Sequence, residues 1–461
     1  MPEHAVTVEA TLVALLEEKK YKTLKDILIT MNPADVAAVF DGMSEAALPL
    51  LFRLLPKEQA AETFVEMEPA AQELLMRGFS DSELKEVLDE LYVDDAVDIV
   101  EEMPANVVQR ILRQADPEMR KSINEILRYP ENSAGSIMTT EYISLTPDMN
   151  VGAAILRIRR TGFDKETIYT CYVTKDHRLL GLVSVKDLLL AEDDDTPIQS
   201  IMVTNIISVD THTDQEEVAQ MFTKYNFAAL PVVDTEYRMV GIVTFDDAME
   251  VMEDEATEDI EKMAAILPSA KTYLRASIYE IWKSRIPWLV LLMVSATFTG
   301  MIISNFENAL QAMLCLSAFI PMLMDTAGNS GSQSSVTIVR GLSLKEISFS
   351  DLPRVLWKEF RVSILCGASL AVVCFAKVMV VDYLLLHNIV AADGPVLVAL
   401  VVSITMSLTI VLAKLVGGIL PLVADKLGFD PAVMASPFIT TIVDALSLLV
   451  YFNVAKALLH I

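Results

Sequence analysis

Cysteine is nearly absent from this sequence: of 461 residues only Cys171, Cys315, Cys366 and Cys374 are cysteine, none spaced as CxxC and three of them inside apolar runs. That excludes a disulfide scaffold and a structural zinc site. The five histidines form no HExxH, which removes the metal chemistry of a membrane metalloprotease, and no catalytic set is read, so the chain is not expected to be an enzyme. Basic residues are short as well, with Lys+Arg 36 against Asp+Glu 63. A nucleic-acid binder needs a basic face to neutralise phosphates, and the balance here has the wrong sign. The N-terminal stretch MPEHAVTVEATLVALLEEKK is acidic and amphipathic, so no signal peptide is expected.

What is present is divided unevenly. Residues 286–461 hold 10 of the acids and 9 of the bases, which leaves 53 acids and 27 bases, a net −26, for residues 1–285. An acidic soluble half is joined to a nearly neutral apolar half. The apolar half contains five windows long enough to cross about 30 Å of hydrocarbon as helices, at 286–304, 309–338, 361–384, 395–423 and 431–458. The second and fourth are interrupted by Pro and Gly, so kinks are expected there. Lys283 and Arg285 precede the first window, and Arg340, Lys345, Arg354, Lys358 and Arg361 crowd the connection between the second and third. Basic residues favour the cytoplasmic side, so the acidic half is expected in the cytoplasm and the C-terminus outside, in the cell membrane.

Two features in the apolar half are out of place. Asp444 stands inside DPAVMASPFITTIVDALSLLVYF, where a carboxylate costs about 2.5–3.5 kcal/mol at a helix centre and usually lines an aqueous path. Pro437, Thr440, Thr441 and Asp444 share one helix face, and Pro437 is expected to free a carbonyl near Val433. Such an oxygen-rich face suits a hard cation. A structural ion pair of Asp444 with Lys377 or Lys414 is the competing reading. The second feature is PMLMDTAGNSGSQSSVTIVRG, where Asp325, Gly328, Asn329, Ser330, Gly331, Ser332, Gln333, Ser334 and Ser335 interrupt an apolar stretch. Close helix packing and a water-facing wall both account for it, with Asn329 a candidate pore residue.

In the acidic half, MTTEYISL at Met138 matches MVTNIISV at Met202, and YVTKDHRLLGLVSVKDLL at Tyr172 matches VVDTEYRMVGIVTFDDAM at Val232. Each unit reads strand, helix, strand, turn, strand, helix, with Gly181 and Gly241 at equivalent turns. This resembles a tandem pair of cystathionine-β-synthase-type (CBS) domains, at about 138–196 and 202–254. The resemblance implies that Ser184–Asp187 and Thr244–Asp247 contact a nucleotide such as ATP; helix N-capping is the plain alternative for the same residues. Residues 5–130 carry helical periodicity in repeated phrases ending in Met43, Met67 and Met103, which predicts short helices stacked as a small superhelix, with an acidic cluster at Asp94, Asp95 and Asp98. From Glu250 to Glu261 run Glu250, Glu253, Asp254, Glu255, Glu258, Asp259 and Glu261 without a base. With apolar Val251, Met252, Ala256 and Ile260 among them, the stretch reads as an amphipathic helix, either a solvated face or a cation-responsive one.

This order of parts, together with ATEDIEKM, GNSGSQS, FDPAVMASPFITTIVD and LLVYF, resembles the MgtE magnesium channels over essentially the whole chain. The expected organisation is a multidomain membrane protein: an all-α acidic N domain (1–130), an α+β tandem CBS pair (131–254), a connecting helix (255–285) and a five-helix transmembrane pore domain (286–461). The resemblance implies a homodimer in the lipid bilayer with a selectivity site at Asp444. It also implies that cytosolic Mg²⁺ closes the pore when bound among Asp94, Asp95, Asp98, Asp246, Asp247, Glu250, Glu255, Glu258, Asp259 and Asp430. Mg²⁺ is then both substrate and regulatory ligand. GNSGSQS departs from the expected GNTGNQ at Ser332. The alternatives are a transporter of Co²⁺, Mn²⁺ or Ca²⁺, or a CBS-regulated carrier of a non-cation substrate.

Overall fold

The structure is a computed structural model and is described for residues 3–269, 273, 276–307, 311, 313–387, 394–434 and 436–459. It divides into two compact units, residues 1–252 and 253–461.

The first unit begins with short helices, several of them started by a local signal. Asn32 caps the helix Pro33–Phe40, Ser80 forms a reciprocal capping box with Glu83, and Asp116 accepts from the Glu118 and Met119 amides with Pro117 at the first helical position. Frequent starts and stops keep the helices near ten residues and stack them side by side. Their apolar faces bury Leu24, Leu28, Phe40, Leu51, Phe64, Leu75 and Leu84, and the phrase-ending Met67 and Met103 are buried with them. The helix that matters for the site is Val93–Glu102, here α1.

The CBS repeats form two three-stranded sheets, β1 (Ile143–Leu145), β2 (Thr170–Lys175) and β3 (Arg178–Ser184), then β4 (Val209–Asp210), β5 (Ala229–Val233) and β6 (Met239–Thr244). In each, the first pair is parallel and the second antiparallel. Gly181 and Gly241 lie inside β3 and β6 instead of at turns, opposite Val173 and Val232. Their reason is close approach: a Cβ at Gly181 would lie 2.8 Å from Met202 Sδ, and one at Gly241 2.7 Å from Met138 Sδ and 2.6 Å from the Thr139 carbonyl oxygen. The leading methionine of each repeat thus covers the glycine of the other. Backbone bonds repeat the exchange, Leu182 with Val203 and Ile242 with Thr139. β6 runs directly into α2 (Phe245–Met263), so the expected connecting helix begins ten residues earlier and stops at Met263. Part of 255–285 lies outside the described residues.

In the second unit, α3 (Ile278–Asn305) starts at a Ser277–Glu280 capping box, eight residues before the expected span. α4 covers Ile320–Ser343, α5 Leu352–Lys377 with a π-helical extension to Leu385, α6 Pro395–Lys426 and α7 Ser436–Leu459. Four of the described helices are long and apolar enough to cross a membrane, and α4 is not among them. At 24 residues α4 has the length, about 36 Å, but its small and polar residues lower its hydropathy. Arg354, Lys358 and Arg361 lie on α5 and not in a loop, which moves the start of the third span nine residues earlier than expected. α6 is unbroken through Gly417, Gly418 and Pro421. It is also the central helix: its apolar window is 56% buried, against 0% for α3.

α4 is drawn against its neighbours by small residues. A Cβ on Gly331 would lie 3.1 Å from the Ala413 carbonyl oxygen and 2.9 Å from Ile439, and one on Gly417 would overlap the Gly331 carbonyl. Gly417→Ala is therefore expected to separate α4 from α6 at a cost of about 3 kcal/mol. Size-exclusion chromatography of heated detergent samples checks this; an unchanged melting midpoint would count against it. Two buried polar groups and the half-buried Glu359 close the same contact: Lys414 donates to Ser334 Oγ at 3.3 Å, and Ser334 donates to Glu359 at 2.6 Å.

Candidate functional site

Where α4 meets α7 lies an open-sided cavity of about 420 Å³, lined by Ile320, Pro321, Met324, Asp325, Gly328, Asn329, Thr440 and Asp444. α7 is oriented by Ile439 and Val443, both buried against Ala327 and Ala413, which leaves Thr440 and Asp444, one turn apart, on the cavity side. Three expected pore residues (Asn329, Thr440, Asp444) meet here; Pro437 and Thr441 do not line the cavity. The hydroxyls of Thr440 and Thr441 donate to the Pro437 carbonyl at 2.9 and 3.0 Å. Pro437 lies in the first turn of α7, where a missing amide breaks no helical bond, so the expected freed carbonyl near Val433 does not arise.

The ion-pair reading of Asp444 is not what the chain forms. Lys377 is 2.8 Å from Asp382, within the π-helical extension of α5, and Lys414 is held by Ser334. The polar stretch of α4 serves both of its expected roles, at different positions. Asp325, Gly328 and Asn329 face the cavity, whereas Gly331, Ser334 and Ser335 are buried in helix contacts, Ser335 donating to the Met434 carbonyl at 2.9 Å. Asp325 is the residue the sequence reading left without a role, although its i, i+3, i+4 relation to Gly328 and Asn329 marks a shared face.

At the end of α2, Lys262 Nζ lies 2.6 Å from Glu258 and 2.6 Å from Asp430. Asp430 also accepts from the Ala432 amide at 2.8 Å, and Asp259 accepts from Ser343 at 3.2 Å. Burial pushes Asp259 above the usual carboxylate range, offset in part by Ser343. Of the expected gating residues, Glu258, Asp259 and Asp430 are brought together here, around a lysine that reads in sequence only as the end of an acidic run. Glu255 is half-buried on the same helix.

The remaining gating candidates gather in the first unit. α1 supplies Asp94, Asp95 and Asp98, and the opening turns of α2 supply Asp246, Asp247 and Glu250. Glu141 and Glu166 join them; nothing in their spacing announces it. Glu141 accepts from the Val93 amide at 3.1 Å and so caps α1 from the CBS region. Both helix N-termini favour negative charge, yet burial and mutual repulsion prevail. Burial first, then Asp247, push Asp95 up to about 7 and Asp98 up to about 8. Burial, then Asp95, raises Glu166 to about 8, and burial raises Asp247 to about 6 against a hydrogen bond from Thr244. Asp94, only 7% exposed, is raised well above its ordinary range by burial and by Asp247. Asp94 Oδ1 and Glu166 Oε2 are buried with no hydrogen-bond partner. Buried acceptors facing one another without donors call for a proton or a cation. Among the described residues, no three carboxylate, histidine or thiolate groups converge closely enough to hold a bare metal ion.

Of the nucleotide candidates, Ser184 and Asp187 form a reciprocal capping box, whereas Thr244 only donates to Asp247. Ser184 Oγ accepts from the Asp187 amide at 3.0 Å and donates to its carboxylate at 2.6 Å, and Thr244 donates to Asp247 at 2.6 Å. Ser184–Asp187 is accessible, whereas Asp247 faces the other carboxylates.

Known proteins match nearly all of this chain. A family described as a divalent cation transporter (MgtE) matches residues 320–454, the MgtE intracellular N domain matches 31–132, and the CBS domain matches 134–194 and 198–254. The magnesium transporter MgtE of Thermus thermophilus is 36% identical over 450 residues, 96% of this chain and 97% of that protein. The magnesium transporter MgtE of Bacillus subtilis is 32% identical over 454 residues, 97% of each. Among solved structures, the cytosolic domain of the Mg²⁺ channel MgtE in complex with ATP aligns at a TM-score of 0.50 and 36% identity, covering 53% of this chain and 99% of that one. The soluble part of a magnesium transporter aligns at 0.51 and 29% identity, covering 55% and 99%.

Proposed function

The chain belongs to the MgtE family of magnesium transporters, and from that premise we propose a Mg²⁺ pore built on the Asp444 cavity and closed by cytosolic Mg²⁺. The observation that carries the pore is the meeting of Asp444, Thr440 and Asn329 in one cavity of about 420 Å³ between α4 and α7. Mg²⁺ sheds water reluctantly, so carboxylate and amide oxygens bind it through its waters. A homodimer brings two copies of Asp444 to one axis and doubles the charge a divalent ion meets. The basic residues Arg340, Lys345, Arg354 and Lys358 favour a cytoplasmic acidic region and an outside C-terminus.

Closure follows from the repelling carboxylates. Mg²⁺ bound among Asp94, Asp95, Asp98, Asp247 and Glu166 relieves a repulsion that the ion-free state retains, and so favours the compact arrangement. At the far end of α2, Lys262 supplies a fixed cation between Glu258 and Asp430. Its partly exposed ion pairs are worth about 1 kcal/mol at most. Lys262→Met is thus expected to raise Mg²⁺-free flux about threefold, leaving closure to Mg²⁺ alone; flux identical to wild type would remove Lys262 from the latch.

The deciding experiment is uptake into liposomes at low and at several-millimolar internal Mg²⁺. Influx that falls beyond the lost gradient supports pore and sensor together. Constant influx leaves the pore without the sensor, and no Mg²⁺ influx turns attention to Co²⁺, Mn²⁺ or Ca²⁺. ATP at the CBS pair is a second reading, favoured by the ATP complex of a 36% identical cytosolic domain. Ser184 and Asp187 would hold it; the carboxylates around Asp247 would repel a triphosphate.

A further inference from the structure

The Asp444 cavity holds a second carboxylate. Four acids lie within the membrane helices α4, α5 and α7 and the extension of α5: Asp325, Glu359, Asp382 and Asp444. Glu359 accepts from Ser334 at 2.6 Å, and Asp382 pairs with Lys377 at 2.8 Å. Asp325 and Asp444 have neither kind of partner among the described residues, and these two share one cavity. They reach it from different helices. Gly328 keeps the wall between them thin, since a Cβ there would lie 3.1 Å from Thr440 Cγ2 and 3.7 Å from Asp444 Oδ1.

We propose that Asp325 is a specificity-determining residue of the cation path, setting the preference for a hydrated divalent ion over a monovalent one. This rests on the reading that Mg²⁺ passes through the Asp444 cavity. The volume fits a hydrated ion: six waters at about 30 Å³ each fill less than half of the 420 Å³. Water bound to the ion donates to Asp325 on one side and to Asp444 on the other, with Asn329 beside them. A second negative charge attracts a divalent ion twice as strongly as a monovalent one. Losing it therefore weakens Mg²⁺ more than Na⁺.

The test compares wild type with Asp325→Asn, Asp325→Ser and Asp325→Glu in liposomes. It reads the apparent KM for Mg²⁺, the Mg²⁺/Na⁺ flux ratio, and block by hexamminecobalt(III), an inert cation with the outline of a hydrated ion. Both neutral variants are expected to raise the KM and weaken the block about tenfold, equivalent to about 1.4 kcal/mol, and to lower the flux ratio. Asp325→Glu should restore most of each. Neutral variants with wild-type KM, ratio and block would overturn the proposal, as would a lower flux with all three unchanged, the mark of a structural role alone. Wild-type protein that carries no Mg²⁺ would instead overturn the cavity reading on which it rests. Where Asp325→Asn fails to assemble, Asp325→Ser carries the comparison.

Discussion

Replacing Asp444 with Asn is expected to cut Mg²⁺ influx roughly hundredfold while leaving the protein assembled, because ~3 kcal/mol of ion stabilisation is removed at no steric cost. The substitution is nearly isosteric. The residues that hold α7 in place are Ile439 and Val443, buried against Ala327 and Ala413, and they are unchanged. No lysine is released either, since Lys377 remains with Asp382 and Lys414 with Ser334. What is lost is charge. A divalent ion about 5 Å from a carboxylate gains several kcal/mol even at an effective dielectric of 20, and water in the cavity reduces this by about half. Liposome uptake with a Mg²⁺ indicator, beside size-exclusion chromatography of the same preparation, separates transport from assembly. Normal uptake by an assembled variant would remove Asp444 from the path.

How much of this was legible beforehand depends on the range of each interaction. Asp444 was legible because a carboxylate in an apolar helix is costly wherever it lies, so it needs no partner to be noticed. Asp325 was visible only as one of nine small or polar residues, since its role comes from α7 crossing α4 at Gly328. The order of the CBS elements followed from a repeat, but the reason for Gly181 and Gly241 did not. Each is covered by a methionine from the other repeat, a contact absent from either repeat taken alone. Of the five spans read from the sequence, four of the described helices have both the length and the hydropathy to cross a membrane, and α4 has the length while its small and polar residues lower its hydropathy. Asp94, Asp95 and Asp98 are legible in the sequence as an acidic cluster, and the family resemblance adds Asp247 and the gating role. Glu141 and Glu166 come from segments with ordinary spacing and join the cluster only through the fold. Lys262 was passed over because its role lies in reaching Asp430, far along the chain.

The acidic cluster gives the second large effect, in which pH and Mg²⁺ act on the same groups. A carboxyl whose folded-state pKa is raised holds its proton longer in the folded than in the unfolded chain. Its contribution is therefore fully present below about pH 4 and is lost as pH rises through the folded value. Here the folded values are about 6 for Asp247, about 7 for Asp95 and about 8 for Asp98 and Glu166. Without divalent ions, the melting temperature of the full-length protein should fall between about pH 5 and pH 8, and millimolar Mg²⁺ should flatten that slope. One pH unit is worth about 1.4 kcal/mol, so Asp95 ionised in the folded state costs about 2–4 kcal/mol after allowance for solvent. Reversing a gate from 1:99 to 99:1 takes about 5.5 kcal/mol, more than a single group supplies and within reach of several. The combination Asp95→Asn, Asp98→Asn and Asp247→Asn should accordingly raise stability in Mg²⁺-free buffer at pH 8. It should also abolish the Mg²⁺-induced rise in melting temperature and leave influx high at several-millimolar internal Mg²⁺. Each substitution alone should only shift the inhibitory midpoint. A triple variant that still closes normally at high internal Mg²⁺ would show that the repulsion in this cluster is not what Mg²⁺ relieves.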